Sequence, residues 1–221
     1  MLPRVVLHNA VSVDGRITGF QIDLGLYYGL VGTWKEDATL AGSDTLLTAT
    51  DAELDSDDAP EPAAKEAGDT RPLLVVPDSR GSIRTWDWMR KQPYWRDVVV
   101  LCSRATPSEY LDHLERRGID SIVVGETHVD LRAALEELCG RYGVKSVRAD
   151  SGGTLNGTLL RAGLVDEVSV VVCPTLVGGS SPQSVFRAPD LASEGGAIKV
   201  RLTHLERLEG DHVWLRYEVV K

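Results

Sequence analysis

The sequence has little of what disulfides and metal sites require. Its three cysteines, Cys102, Cys139 and Cys173, are far apart, and none belongs to a C-x-x-C pair. An odd number of cysteines cannot all pair within the chain, so we expect reduced, mostly buried thiols, as in a cytoplasmic protein. The five histidines have no metal-ligand spacing with one another or with cysteine, so we predict no metal site.

A basic charge balance and a long apolar run are also missing. The net charge of -9 argues against a nucleic-acid partner, although a few arginines and backbone N–H groups can still hold an anionic small molecule. No apolar run reaches the roughly 18 residues of a membrane span. From the first residues of the sequence we expect no signal peptide. With 43% hydrophobic and 26% charged residues, the chain is typical of a globular protein, and we expect a cytoplasmic location.

What is present is an alternation of apolar strand-like segments and helical patterns. We predict a loop with a short helix at 19–36, helices at 130–142 and 154–162, and a helix that Gly118 ends. The predicted strands are 5–9, 38–40, 73–76, 98–102, 119–124, 144–149 and 168–172, followed by a hairpin of 198–208 and 212–220 around the turn Glu209-Gly210-Asp211. This order predicts an α/β fold with a mostly parallel sheet, helices on both faces and a C-terminal antiparallel hairpin. Ligands then bind beyond the carboxyl ends of the strands.

The helix that Gly118 ends has a recognisable start signal. Thr106 is predicted to cap it, with Pro107 at the first helical position and Glu109 closing a capping box.

An acidic stretch at about 50–70 interrupts the pattern. It contains eight carboxylates, one lysine, two prolines and almost no large apolar residue. Such a segment cannot bury enough surface to offset its ordering entropy, so we predict a mobile surface loop, with a domain linker as the alternative. The segments on both sides are predicted to belong to one sheet. We therefore predict a single domain that comprises residues 1–221.

The motif most indicative of chemistry is DSGGTLNG at residues 150–157, which follows a strand and opens a helix. Adjacent glycines let a ligand approach the backbone, and the N–H groups and dipole of a helix N-terminus favour a pyrophosphate. On these residues alone a tight turn without a ligand explains the motif equally well.

Three further polar turns follow predicted strands: Gly42–Thr45, Asp78–Gly81 and Ser103-Arg104. Their hydroxyl and guanidinium groups could bind phosphate or ribose. Ser79 and Arg80 in particular are candidates for a 2′-phosphate, which would favour NADPH over NADH. For each turn taken alone, ordinary turn chemistry or a solvated arginine is the favoured explanation.

Three blocks in this order resemble one family: NAVSVDGRITG at 9–19, DATLAGSDTLL at 37–47 and DSGGTLNGTLLRAGLVDEVSVVVCPTLVGG at 150–179. They are similar to the reductase domain of the riboflavin-pathway deaminase-reductases. The resemblance implies a dihydrofolate-reductase-like three-layer sandwich that forms a homodimer and uses NADPH. It implies reduction of the ribosyl group of an aminopyrimidine ribonucleotide, 2,5-diamino-6-ribosylamino-4(3H)-pyrimidinone 5′-phosphate, to a ribityl chain.

Position by position, the resemblance places the dinucleotide at one set of residues and the substrate at another. The cofactor residues would be Ala10, Thr45, Ser79 and the run from Gly152 to Thr158, which includes Gly153, Thr154, Leu155 and Asn156. Asp150 would contact the substrate or support proton delivery. Asp23 is a weaker candidate for the same pocket, and its alternative is a solvated loop carboxylate.

The chain departs from the family where arginines usually hold the substrate phosphate. The stretch GLYYGLVGTWKEDA offers only Lys35, and the arginine expected after the second block is missing. Two alternatives therefore stay open. One is a dihydrofolate-reductase-like oxidoreductase for another pterin- or pyrimidine-like metabolite. The other is a non-catalytic nucleotide-binding protein.

Overall fold

Strands and helices alternate along the chain in the computed structural model, which describes residues 1–43, 46–47, 68–180 and 183–221. The strands of these ranges are β1 (Arg4–Ser12), β2 (Ala38–Ala41), β3 (Leu73–Pro77), β4 (Asp97–Cys102), β5 (Asp120–Val123), β6 (Ser146–Asp150), β7 (Glu167–Cys173), β8 (Val200–Arg207) and β9 (Val213–Val219). The helices are α1 (Leu24–Gly29), α2 (Trp86–Arg90), α3 (Ser108–Arg116), α4 (Leu131–Tyr142) and α5 (Gly153–Arg161).

Every predicted strand overlaps an observed one, because each is a continuous or alternating apolar run. The α/β class, the mostly parallel pairing of the strands and the C-terminal antiparallel hairpin are confirmed. Helix α2 was not predicted. The predicted acidic loop lies almost wholly at 48–67, outside the described residues.

The chain divides into two compact units. The first contains residues 1–3 and 36–147, and the second contains residues 4–35 and 148–221. The prediction of a single domain stays a prediction.

The strands of the first unit are parallel and follow the order β5-β4-β3-β2. All six residues of β4 are buried, as expected for a parallel strand covered on both faces. The core of the first unit contains the fully buried Trp86 of α2 and Tyr110 of α3. The Trp86 indole donates a 3.0 Å hydrogen bond to the Tyr110 hydroxyl.

The second unit joins parallel and antiparallel pairs. Its strand order is β6-β1-β7-β9-β8, with β1 and β7 parallel and β9 antiparallel to both β7 and β8. The predicted turn Glu209-Gly210-Asp211 closes the hairpin, and Gly210 takes the left-handed conformation that a glycine favours, with φ 64°. Tyr27, Val171 and Trp214 belong to the core of this unit.

The predicted capping box at the start of α3 is wrong. The residue before the first helical turn is Pro107, and no side chain caps the helix. The Thr106 hydroxyl instead accepts the Ser103 N–H at 3.0 Å and donates to the Ser79 carbonyl at 2.9 Å. The threonine therefore ties two strand-end turns together rather than starting the helix.

Two further expectations concern cysteines and membranes. Cys102, Cys139 and Cys173 are free thiols, and two of them are buried. Burial raises the pKa of the Cys102 thiol to about 12, so it stays protonated. Among the described helices, none combines the length and the apolar character needed to cross a bilayer.

Candidate functional site

The Asp150 carboxylate ends β6 and is held at both oxygens. Oδ2 accepts a hydrogen bond from Nη1 of Arg148 at 3.0 Å, and Oδ1 accepts one from the Tyr27 hydroxyl at 3.2 Å. The Asp150 side chain keeps a quarter of its surface exposed, whereas the Arg148 side chain is 5% exposed. A fixed, partly open carboxylate at the carboxyl end of a strand suits recognition of a polar ligand.

Tyr27 reaches Asp150 from helix α1 and is positioned by His8 of β1. Its ring stacks on the His8 imidazole with the centroids 4.4 Å apart, and its hydroxyl lies 2.7 Å from the His8 carbonyl oxygen. Burial, with the negative charge of Asp150, raises the Tyr27 pKa well above its usual range. Burial also lowers the pKa of His8 to about 4. Both rings are therefore neutral at physiological pH.

The first turn of α5 leaves room and donors for an anionic group. Gly152 precedes the helix with φ -75° and ψ 169°, no side chain caps the helix there, and a β-carbon on Gly152 would meet no atom within 4 Å. The first hydrogen bond of the helix runs from the Asn156 N–H to the Gly152 carbonyl. The N–H groups of the helical residues before Asn156 therefore have no acceptor within the helix. This arrangement fits the pyrophosphate contact, which stays a prediction.

Gly153 and Gly157 have a role that the sequence did not reveal. They lie one turn apart on α5, and the backbone of 184–187 lies directly against both. A β-carbon on Gly153 would collide with the Ser184 carbonyl oxygen, and one on Gly157 with the Arg187 carbonyl oxygen. The Arg187 N–H also donates to the Gly153 carbonyl at 2.9 Å. These glycines let two backbones approach closely.

Asn156 occupies the centre of a buried hydrogen-bond network. Its amide donates to the Asn9 side chain at 2.8 Å and to the Val185 carbonyl at 3.0 Å, and its oxygen accepts the Ser151 hydroxyl at 2.7 Å. The side chain is fully buried. Asn156 was predicted to contact the cofactor, but its amide is committed to these internal partners.

The other predicted residues of the second unit are placed differently from one another. Thr154 is exposed and Leu155 half-buried on the first turn of α5, whereas Ala10 is buried within β1. The exposed Asp23 carboxylate caps α1 by accepting the Leu26 N–H at 2.9 Å, and its contact with the substrate stays a prediction. Lys35 is exposed and has φ 46°.

In the first unit, Ser79 and Arg80 follow β3 in a turn that Asp78 organises. The buried Asp78 carboxylate accepts the Ser82 and Ile83 N–H groups and the Tyr110 hydroxyl at 2.8–2.9 Å. Ser79 Oγ accepts the Val129 N–H at 3.1 Å, and Arg80 is exposed. Thr45 lies outside the described residues.

The first unit also has a cavity of about 280 Å³ that the sequence did not indicate. The initial residues of three strands line it, namely Leu73, Asp97 and Asp120, with Tyr142 nearby. It therefore lies at the amino ends of the strands, whereas the predicted cofactor residues Ser79 and Arg80 lie at the carboxyl end of β3. No cluster of His, Cys, Asp or Glu able to hold a metal ion occurs in the described ranges.

Sequence reasoning missed the partners of Asp150. Arg148 could have been found, because it precedes Asp150 by two positions in a strand and so projects from the same face. Tyr27 gave no comparable signal, since 123 residues separate it from Asp150.

Comparisons with known proteins agree with the architecture. The 2,5-diamino-6-ribosylamino-4(3H)-pyrimidinone 5′-phosphate reductase of Methanothermobacter thermautotrophicus is 31% identical, and the alignment covers 99% of each chain. A pyrimidine reductase-like protein from Corynebacterium diphtheriae has the same fold at 17% identity, with a TM-score of 0.73 over 99% of this chain and 92% of that one. Acinetobacter baumannii RibD matches at 21% identity and a TM-score of 0.70, over 99% of this chain and 58% of RibD.

Residues 3–214, almost the whole chain, match the sequence model of a protein family that is described as the RibD C-terminal domain. This match and the end-to-end similarity to the Methanothermobacter reductase identify the chain as a member of the RibD C-terminal domain family.

Proposed function

We propose that this protein is an NADPH-dependent reductase of 2,5-diamino-6-ribosylamino-4(3H)-pyrimidinone 5′-phosphate in riboflavin biosynthesis. The observation that carries the proposal is the match, over 99% of both chains, to the Methanothermobacter protein of that name. A reductase of this family implies a nicotinamide cofactor, and the choice of NADPH is the finer part of the proposal. The bound nicotinamide would supply the hydride for the acceptor carbon.

In this proposal the start of α5 binds the pyrophosphate. The N–H groups of the first turn of α5 lie at the positive end of the helix dipole. The open space at Gly152 lets a bulky anion approach them. Gly153, Thr154 and Leu155 contribute backbone N–H groups there. Asn156 holds this turn against β1 through its bond to Asn9.

Asp150 is the proposed substrate contact. Its carboxylate accepts hydrogen bonds only, so it suits an N–H of the pyrimidine or a hydroxyl of the ribosyl chain. Positioning the substrate in this way contributes to the rate by orientation, and a carboxylate at hydrogen-bond distance can also support proton delivery.

The alternative is a related oxidoreductase for a metabolite without a phosphate. It is favoured by one observation: Lys35 is the sole cation at residues 25–38, where the family is expected to hold the phosphate. Asp23 and Lys35 stay predictions as substrate contacts.

A homodimer is also part of the proposal. Strand β8 is exposed along nearly its whole length, and Val200, Leu202 and Leu205 keep 46%, 48% and 64% of their surface accessible. A second copy would cover such apolar side chains. The reduced thiols fit a cytoplasmic location of the enzyme.

The test of the function is a substrate panel followed by loss of NADPH absorbance. The diaminopyrimidine ribosyl phosphate should be reduced, whereas dihydrofolate should not. Turnover of dihydrofolate alone would favour the related oxidoreductase. NADPH binding without turnover of any substrate would favour a non-catalytic protein.

Replacing Arg80 by alanine tests the cofactor preference. We expect NADPH to bind about tenfold or more weakly, because a hydrogen bond between charged groups contributes about 1.5–3 kcal/mol. The affinity for NADH should be nearly unchanged, since NADH has no 2′-phosphate. Fluorescence titration of both cofactors measures the difference. Arg116→Ala, which removes an exposed arginine of α3, controls for net charge. Equal losses for NADPH and NADH would show that Arg80 does not recognise the 2′-phosphate.

A further inference from the structure

The carboxylate of Asp150 has a built-in support on one strand. Arg148 and Asp150 project from the same face of β6, and their side chains form a 3.0 Å ion pair. The Arg148 side chain is only 5% exposed, so its guanidinium cannot swing into solvent as a surface arginine does. A planar, buried guanidinium fixes the carboxylate oxygen that it contacts in both distance and direction.

The second oxygen of Asp150 is restrained from another element. The Tyr27 hydroxyl has one proton and lies within hydrogen-bond distance of two acceptors, the His8 carbonyl at 2.7 Å and Asp150 Oδ1 at 3.2 Å. The Tyr27 ring cannot turn away, because it is buried and stacked on the His8 imidazole. Tyr27 therefore limits rotation of the carboxylate, while Arg148 balances its charge.

These two contacts leave a defined part of Asp150 for a ligand. A quarter of its side chain stays exposed, although both oxygens have a protein partner. A carboxylate oxygen has two lone pairs, so each oxygen can accept one more hydrogen bond. A surface carboxylate without such partners would sample several rotamers and lose entropy on binding.

We propose that Arg148 and Tyr27 are positioning residues that hold the Asp150 carboxylate in the orientation in which it meets the substrate. The inference rests on the proposed function, in which Asp150 contacts the pyrimidine substrate. Neither residue touches the substrate in this proposal, so both act through Asp150.

The experiment compares Arg148→Met, Arg148→Lys, Tyr27→Phe and Asp150→Asn by steady-state kinetics with the diaminopyrimidine ribosyl phosphate. We expect kcat/KM to fall about tenfold or more for Arg148→Met and about threefold to tenfold for Tyr27→Phe. Arg148→Lys should keep part of the kcat/KM that Arg148→Met loses. Each double variant with Asp150→Asn should be no slower than Asp150→Asn alone, because the supports act through that carboxylate. The affinity for NADPH should not change.

The matched control is Tyr28→Phe, which removes the hydroxyl of a neighbouring tyrosine that is 53% exposed. It should leave kcat/KM unchanged. Losses in the double variants that multiply with that of Asp150→Asn would overturn the proposal, since Arg148 and Tyr27 would then act independently of the carboxylate.

A readout without turnover separates this inference from the proposed function. In protein labelled with ¹³C at aspartate carboxyl groups, the resonance that Asp150→Asn removes identifies Asp150. That resonance should shift or broaden in Arg148→Met and in Tyr27→Phe, and stay in place in Tyr28→Phe. An unchanged resonance in the first two variants would overturn the positioning role. If wild-type protein reduces no pyrimidine, the proposed function fails while this resonance still decides on the contacts.

Discussion

Replacing Gly157 by alanine is expected to destabilise the protein by about 3 kcal/mol, although alanine is the better helix former. The added methyl carbon would collide with the Arg187 carbonyl oxygen and lie 2.7 Å from the Arg187 carbonyl carbon. Both are backbone atoms, so neither can rotate aside as a flexible side chain would. Relief requires the 184–187 segment to leave α5, which would break the hydrogen bond from the Arg187 N–H to Gly153.

Gly140 supplies the matched control, because it is also a glycine inside a helix. It lies in α4 and is exposed, and a β-carbon there would meet no atom within 4 Å. Gly140→Ala should therefore stabilise the protein by about 0.5–1 kcal/mol. Urea denaturation followed by circular dichroism measures both changes. A Gly157→Ala protein with a midpoint as high as that of Gly140→Ala would show that the close approach of 184–187 does not constrain this position.

The elements that sequence reasoning predicted well depend on local signals. The run VVVLC at 98–102 predicted β4 because apolar, β-branched residues follow one another without a helical period. Glu209-Gly210-Asp211 predicted the closing turn because it separates two alternating segments. The prediction of a capping box at the start of α3 was wrong for a non-local reason. The Thr106 hydroxyl bonds to Ser79, 27 residues away, rather than to its own helix.

The candidate site divides in the same way. Asp150 and the glycines after it form a contiguous motif, so the sequence located them. The partners of Asn156 at Asn9 and Val185 lie 147 and 29 residues away, and no spacing rule connects them. For that reason the sequence placed Asn156 at the cofactor site without indicating the network that its side chain joins. Gly153 shows the same limit, because glycine serves ligand approach and backbone packing equally well.

The glycine that remains free for a ligand is Gly152, and Gly152→Val is expected to lower the affinity for NADPH at least about a hundredfold while the protein stays folded. Its φ of -75° and ψ of 169° lie in the extended region that valine adopts readily. A β-carbon there meets no protein atom within 4 Å, so the side chain would occupy open space at the start of α5. Since no side chain caps this helix, the fold should lose only about 1 kcal/mol or less.

The measurement pairs thermal melts with NADPH titrations for Gly152→Val, Gly153→Val and Gly32→Val. Gly153→Val should lose stability first, because its β-carbon collides with the Ser184 carbonyl. Gly32→Val places the same side chain at another open glycine, with nothing within 4 Å, and should change neither property. The decisive comparison is therefore Gly152→Val against Gly32→Val, two folded proteins that differ in whether the added valine faces the α5 N-terminus. If both bind NADPH like the wild type, the pyrophosphate does not bind at Gly152, and the open turn before α5 has no part in holding the cofactor.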